Sequence, residues 1–384
     1  MGAGASLVFI STIVDEANGP RVHFVTGRKR VLRLGQGLME FSELCGQSGS
    51  MHDLAYFLSK PGALPRIPHL LLLGANDLDP SAPRLADLMG AVLIFEQQIG
   101  GFGLGAFATN DRSGRSTLLA RPQDRMRVAE MASRALMDRG AQLILMSFRA
   151  QVSSEPASPA QPFFAEGRRH GAHWARRERS IPGYLPLSTT FDATLAGVGT
   201  RTRRNLRYYR RRAEAELGCV FVPRVEVTRE ELLSFNKQCM FTVSRQVAAW
   251  RYNSLKELSG PVFMGMKDKE GRWLSMLAGR RYLDRSEILW QMNRDGLAEY
   301  SLGTAMRAYF IEHEIAHGSR RLYTEGGTPH PMRFSFVPEE LTDLVIKRDT
   351  LVAKAMQMAA RRFIQPDNDL SHMLDAPELE WMPC

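Results

Sequence analysis

At 384 residues with 44% apolar side chains, the chain is long enough to fold as two ordinary domains, each with its own core. No run of about 18 uncharged apolar residues occurs, and Cys45, Cys219, Cys239 and Cys384 lie far apart. That excludes a transmembrane segment and a disulfide scaffold, and predicts a cytoplasmic protein.

The formal charge of +9 is local: twelve arginines and two acids (Glu178 and Asp192) lie between Arg168 and Arg212, leaving 38 basic against 39 acidic residues elsewhere. Met1-Gly2 with Ser6 fits the N-myristoylation pattern only loosely, and a single acyl chain anchors weakly.

In chain order, alternating and short apolar runs predict strands at 91–99, 102–109 and 116–121, a helix from about 123 to 139 stopped by Gly140, and a strand at 142–148. The stretch from Ser153 to Gln161 carries no apolar periodicity and reads as an exposed connection. Beyond it the same order returns: strands at 261–267, 273–282 and 287–293, a helix from about 301 to 317 stopped by Gly318, and a strand at 321–324. Helices at 201–217 and 229–238 precede this second copy. The repeated order predicts the α+β class, with two tandem halves that are each a mixed, mostly antiparallel sheet flanked by helices. The expected divisions are 1–150 for the N-terminal half, 151–183 for the linker, 184–365 for the C-terminal half and 366–384 for a tail.

Tyr300-Ser301-Leu302-Gly303-Thr304-Ala305-Met306 stands where the third strand of the second copy hands over to its helix. First-turn amides lack intrahelical acceptors and carry the positive end of the dipole, so an anion such as a pyrophosphate is held there, and Gly303 lets it approach. The plainer reading makes Ser301 an N-cap and Gly303 a packing residue. The helix at 201–217 places Arg203, Arg207, Arg210 and Arg211 on one side and Leu206, Tyr209 and Ala213 on another. Such a cationic stripe either recognises an anionic acceptor or is a solvated face paired with acids.

Three segments together resemble the GNAT superfamily, in its CelD-like and Fem-like double-GNAT group. They are Tyr300–Met306, the arginine-rich helix after Phe191-Asp192-Ala193-Thr194-Leu195, and the exit Leu322-Tyr323-Thr324-Glu325-Gly326-Gly327 leading to Arg333-Phe334. They span about 184–337, and the first half matches in element order only. The resemblance implies a GNAT-type N-acyltransferase with acyl-CoA as co-substrate and no metal. The acyl group would pass from acyl-CoA or an acyl carrier protein to an amine or hydroxyl of an anionic small-molecule, lipid-linked or sugar-linked acceptor. An aminoacyl-tRNA donor, as in Fem-like relatives, makes tRNA a further partner.

On this resemblance the cofactor lies along Trp290, Met292 and Arg294 and at Ser301, Leu302, Gly303 and Thr304. The acceptor meets Arg203, Arg207, Arg210, Arg211 and Arg333. Glu325 is a candidate base or a salt-bridge residue, and Tyr323 a candidate acid for the thiolate or a core tyrosine. Gln291 and Asn293 alternate on one strand and so share a face. The usual superfamily turn has two glycines, and Ser301 replaces the earlier one. In the first half, Arg121-Pro122-Gln123-Asp124 puts an acid where phosphates would lie, so that half is expected to complete the acceptor cleft.

Two rivals stand beside this reading. His313-Glu314-Ile315-Ala316-His317 spells the zinc-peptidase signature, with Glu339 or Glu340 as third ligand, which would make a zinc-dependent hydrolase. Against it, His313 shares a stripe with Leu302, Met306, Tyr309 and Ala316 that is expected to pack on the sheet. The other rival is non-catalytic nucleic-acid binding through the arginine helix, which no helix-turn-helix spacing or aromatic strand signature supports.

Overall fold

A computed structural model describes residues 11–14, 21–47, 51–61, 66–74, 78–79, 83–99, 102–109, 117–149, 171–325, 331–355, 358 and 382–383. In chain order these give β1 (Ser11–Val14), β2 (Arg21–Thr26), α1 (Arg28–Gly37), α2 (Met39–Leu44), α3 (Leu54–Ser59), β3 (Arg66–Gly74), β4 (Leu88–Ile99), β5 (Phe102–Ala108), β6 (Leu118–Ala120), α4 (Arg125–Asp138), β7 (Leu143–Arg149) and β8 (Ala172–Pro186). They continue with α5 (Phe191–Ala196), α6 (Thr200–Leu217), β9 (Val220–Val222), α7 (Arg229–Asn236), α8 (Arg245–Ser254), β10 (Pro261–Lys267), β11 (Trp273–Tyr282), β12 (Arg285–Asn293), α9 (Leu302–Ala316), β13 (Arg321–Thr324), β14 (Val337–Arg348) and β15 (Met382–Pro383). Two units divide the chain: 1–54, 62–180 and 340–384 form the first, and 55–61 with 181–339 the second. No described helix is long and apolar enough to cross a membrane.

In the first unit the strand order runs β1-β2-β3-β4-β5-β7-β14. Neighbours are antiparallel except β5 and β7, which run parallel. Leu70 to Leu73 of β3 are all fully buried, as a continuous apolar run requires of a strand covered on both faces. Val128, Ala132, Ala135 and Leu136 of α4 supply the helical side of that core. The expected third strand at 116–121 shortens to β6, which pairs back on β4 (Gly90 opposite Ala120). The parallel partner of β7 is therefore β5, and the repeat is offset by one strand from the sequence reading.

The expected boundaries also shift. β14 pairs with β7 from Leu341 opposite Arg149 to Lys347 opposite Leu143, which carries the described residues 340–355 into the first unit rather than the C-terminal half. β8 occupies the later part of the expected 151–183 linker, because backbone pairing draws this polar segment into a sheet. Residues 151–170, with Ser153 to Gln161, lie outside the described residues, as does most of the 366–384 tail.

In the second unit the order is β8-β13-β12-β11-β10-β9. β10, β11 and β12 form an antiparallel meander, and β13 returns parallel to β12 after α9. Both units are thus mixed, mostly antiparallel sheets with helices, the α+β class read from the sequence.

A register shift between Ala278 and Gly279 leaves Leu289 as an extra residue in β12. Such a bulge bends its strand. The ladder between β12 and β13 ends at the same level, with Ile288 opposite Thr324.

The stripe of Leu302, Met306, Tyr309 and His313 packs between α6 and the β9 end of the sheet. The Tyr309 hydroxyl donates to Glu214 of α6 at 2.6 Å, and its ring stacks on Phe221 of β9 at 4.8 Å. The next stripe round lies over β11 and β12: Gly303 lies over Asn293, Phe310 over Gly279, and Glu314 bonds Ser286. The helical period puts Arg307 on that stripe too.

Candidate functional site

Where β13 ends, β12 continues without it. The Glu325 amide makes the last bond, to the Ile288 carbonyl at 2.7 Å, and the Asn293 carbonyl next accepts from the Met240 amide at 3.0 Å. Between them, Leu289 to Met292 have a strand on one side only, among the described residues. Among the described residues no backbone group bonds their other edge, and an edge of this kind presents N–H and C=O groups.

The start of α9 borders this edge. Ser301 has φ 41° and ψ 54°, the left-handed region that glycine occupies without steric cost. A serine thus holds the backbone shape for which the resemblance expects glycine. Its amide bonds Ala298, and its carbonyl accepts from Thr304 and Ala305. The amides of Leu302 and Gly303 have no backbone acceptor among the described residues. The Ser301 side chain makes no N-cap bond and instead meets the Thr304 hydroxyl at 2.9 Å, so the plain N-cap reading does not describe it.

Gln291 and Asn293 do share a face, and they converge on the helix start. Gln291 donates to the Gly303 carbonyl at 3.2 Å and to Asn293 Oδ1 at 3.1 Å, and Ser275 donates to the same Oδ1 at 2.8 Å. A Cβ on residue 303 would sit 3.2 Å from Asn293 Nδ2, so a larger residue would push the Asn293 amide back by a few tenths of an ångström. The side chains of Trp290 and Met292 point away into the core formed with α7 and α8, which leaves only their backbone to line the edge. Arg294 is also structural: its Nε donates to the Trp273 carbonyl at 2.7 Å and its guanidinium covers Phe235.

Glu325 follows the end of β13. Its nearly buried side chain forms an ion pair with Lys60 at 2.6 Å. Tyr323 is buried, packs on Tyr184 at 5.4 Å and donates to Glu339 at 3.4 Å, a core placement. Gly326 and Gly327 lie outside the described residues.

The arginine helix α6 buries Leu206 and Ala213, with Tyr209 half-buried, as its period requires. Its arginines fall into two groups. Arg207 pairs with Asp192 at 2.6 Å, Arg212 with Glu216 at 3.0 Å, and Arg210 with Glu312 at 2.6 Å and Glu214 at 3.1 Å. Arg207 and Arg210, expected to face an acceptor, are therefore engaged by acids. Arg201, Arg203, Arg204 and Arg211 have no acid partner among the described residues. Arg333 donates to the Thr324 hydroxyl at 3.3 Å, which puts it at the end of β13.

Sequence reasoning missed Lys60, Ser275, Arg212 and Arg307. Arg212 ties the arginine helix to the turn before α9, donating to the Glu299 carbonyl at 2.9 Å and covering Tyr300. A signal for Arg307 was present: it is a lone cation on the face of α9 that carries Gly303 and Phe310.

The His-Glu-x-x-His segment is built as a structural cluster. Glu314 is fully buried, accepts from Arg281 at 2.6 and 2.9 Å and from Ser286, and holds His313 Nδ1 at 3.2 Å. Burial pushes its carboxyl up, but the bonds from Arg281 and Ser286 outweigh this and hold it below its ordinary value. The two imidazoles stack at 4.1 Å, and His317 Nδ1 is engaged by the His313 carbonyl at 2.8 Å. A glutamate locked onto an arginine is not poised to activate a metal-bound water.

No family model and no curated protein matches the chain. Among solved structures it is similar to a tandem GNAT protein from the clavulanic acid biosynthesis pathway, at 14% identity over 85% of this chain and 98% of that one, TM-score 0.45. It is also similar to FemX (10% identity, 80% of this chain and 95% of that one, TM-score 0.48) and to L-PGS from Bacillus licheniformis (11%, 85% and 96%, TM-score 0.48). The functional reading rests on the chain's own residues.

Proposed function

We propose that the second unit is an acyltransferase that binds acyl-CoA at the start of α9 and moves the acyl group to an amine or hydroxyl of an anionic acceptor. One observation carries the reading: two first-turn amides without backbone acceptors among the described residues, at a left-handed Ser301, adjoin the edge of β12 that no described strand covers. An acyl carrier protein is the alternative donor with the same thioester.

In this reading the first-turn amides take a phosphate of the donor. The pantetheine arm pairs with that edge of β12 between Leu289 and Met292. The acceptor nitrogen or oxygen attacks the thioester carbonyl; the new C–N or C–O bond forms, negative charge grows on the carbonyl oxygen, and an edge N–H stabilises it. The C–S bond then breaks, and the thiolate takes up a proton. Glu325, beside the last ladder bond and fixed by Lys60, is the group assigned to accept the acceptor's proton.

The test is a thermal-shift series with acyl-CoAs of increasing chain length. A specific ligand at 100 times its Kd stabilises the folded unit by about 2.7 kcal/mol. Gly303→Glu, which puts a carboxylate at the phosphate position, should abolish the shift. No response of the wild-type protein to any acyl-CoA would remove the basis for this function.

A second reading, an aminoacyl-tRNA donor, is favoured by the four α6 arginines that have no acid partner. Binding to tRNA that weakens steeply with salt would select it.

A further inference from the structure

Arg307 is the cation on α9 that the site description leaves without a role. Its residue is half-buried, but its Nε is sealed from solvent with no hydrogen-bond acceptor. No acid, carbonyl or ring holds its guanidinium among the described residues. A buried donor left unsatisfied lowers stability, more so when it is charged, so folded proteins rarely retain one without a use.

Its location follows from the stripe of α9 that lies over β11 and β12. Gly303 lies over Asn293 and Gln291, while Glu314 bonds Ser286, so the helix runs antiparallel to β12. Arg307 is one turn beyond Gly303. At about 1.5 Å per helical residue and about 3.3 Å per strand residue, that turn reaches the level of Leu289 and Trp290. There β12 has lost β13 as a neighbour.

A second guanidinium lies close by. Arg333 is held at the end of β13 through Thr324, and its charge adds to burial in lowering the Arg307 pKa to about 10. No carboxylate among the described residues appears among the charges that Arg307 senses. Two like charges at the parting of two strands, one of them partly desolvated, repel, and an anion that met both would relieve that repulsion.

We propose that Arg307 and Arg333 form the receptor for an oxyanion, a carboxylate or phosphate, carried by the acyl acceptor into the opening between β12 and β13. Naming the acceptor as its bearer rests on the transferase reading above; the oxyanion site itself does not. The planar fork of arginine suits both anions, which it binds through paired N–H···O bonds.

The experiment measures thermal unfolding of the full chain in sodium phosphate, in sodium succinate and in sodium chloride of equal ionic strength, with coenzyme A as a separate ligand. Phosphate or succinate should raise the midpoint beyond chloride, and whichever acts identifies the acceptor as phosphorylated or carboxylated. Arg307→Met should weaken that anion by at least about tenfold, the loss of one charge-assisted pair, while the anion-free variant unfolds at a higher temperature than wild type. Arg307→Lys and Arg333→Ala, as milder changes, should each retain part of the response.

The proposal is overturned if neither anion exceeds chloride, if Arg307→Met keeps the full response, or if Arg333→Ala matches wild type. Coenzyme A separates the two ideas, since its shift should survive Arg307→Met and vanish in Gly303→Glu. An oxyanion response without a coenzyme A response would retain the receptor and remove the transferase.

Discussion

Replacing Glu314 by alanine tests the assignment of the His-Glu-x-x-His segment to structure. The carboxylate is wholly enclosed and accepts from two guanidinium nitrogens of Arg281, from Ser286 and from Ser319 at 3.3 Å. Breaking a buried ion pair costs about 3–5 kcal/mol. Arg281 keeps 27% of its side chain exposed and can rehydrate, so the lower end, about 3 kcal/mol, is expected. Urea unfolding followed by tryptophan fluorescence reads the loss, and a double-mutant cycle with Arg281→Met should show a coupling of about 1.5 kcal/mol or more. The acid dependence has a defined sign. Because the carboxyl is held below its ordinary 4.5 in the folded unit, its contribution is complete above that pH and disappears as pH falls through the depressed value. Glu314→Gln should therefore flatten the acid limb of the stability curve. A cost below about 1 kcal/mol for the alanine variant, or an acid limb unchanged in the glutamine variant, would refute the reasoning.

Two further outcomes follow from backbone and proton chemistry. Ser301→Gly should change stability by no more than about 0.5 kcal/mol, since relief of the left-handed strain offsets the lost hydroxyl contact and the greater freedom of the unfolded glycine. Ser301→Val should cost about 2 kcal/mol, and equal effects in a thermal melt would show that residue 301 is not held at positive φ. Glu325→Gln should lower kcat for acyl transfer by about a hundredfold or more with little change in KM, read by thiol release; a loss under about threefold would take the base assignment from Glu325.

The second unit was legible because its elements carry local signals. β10, β11 and β13 match the expected limits, since each alternates between glycine or charged turns and pairs with a close neighbour or returns after one helix. α6 was legible from the spacing of Leu206, Tyr209 and Ala213. What failed was long-range. β14 looks like any strand of the C-terminal half, and only pairing with β7 reveals where it belongs; the Ser147 to Asp343 bond joins residues 196 positions apart. β8 contains Arg176, Arg177 and Arg179 and resembles a solvated run, yet Arg177 and Arg179 both bind the buried Asp343 at 3.0 and 2.6 Å. Lys60 reaches Glu325 across 265 residues of sequence, a distance no motif spans.

The same accounting gives the charge excess a chemical meaning. A surplus kept only for solubility would be dispersed, and its members would be interchangeable. Here the arginines divide by place. Arg207, Arg210 and Arg212 are matched with Asp192, Glu312, Glu214 and Glu216. Arg201, Arg203 and Arg204 occupy the first turn of α6, where the helix dipole already disfavours cations. That turn is tied to the segment bearing Arg333, because the Gly199 amide donates to the Ser335 hydroxyl at 3.2 Å. Positive charge therefore accumulates against the dipole, beside the opening over which Arg307 lies. Each of these placements is unfavourable on its own, and an anion bound at that opening would offset it.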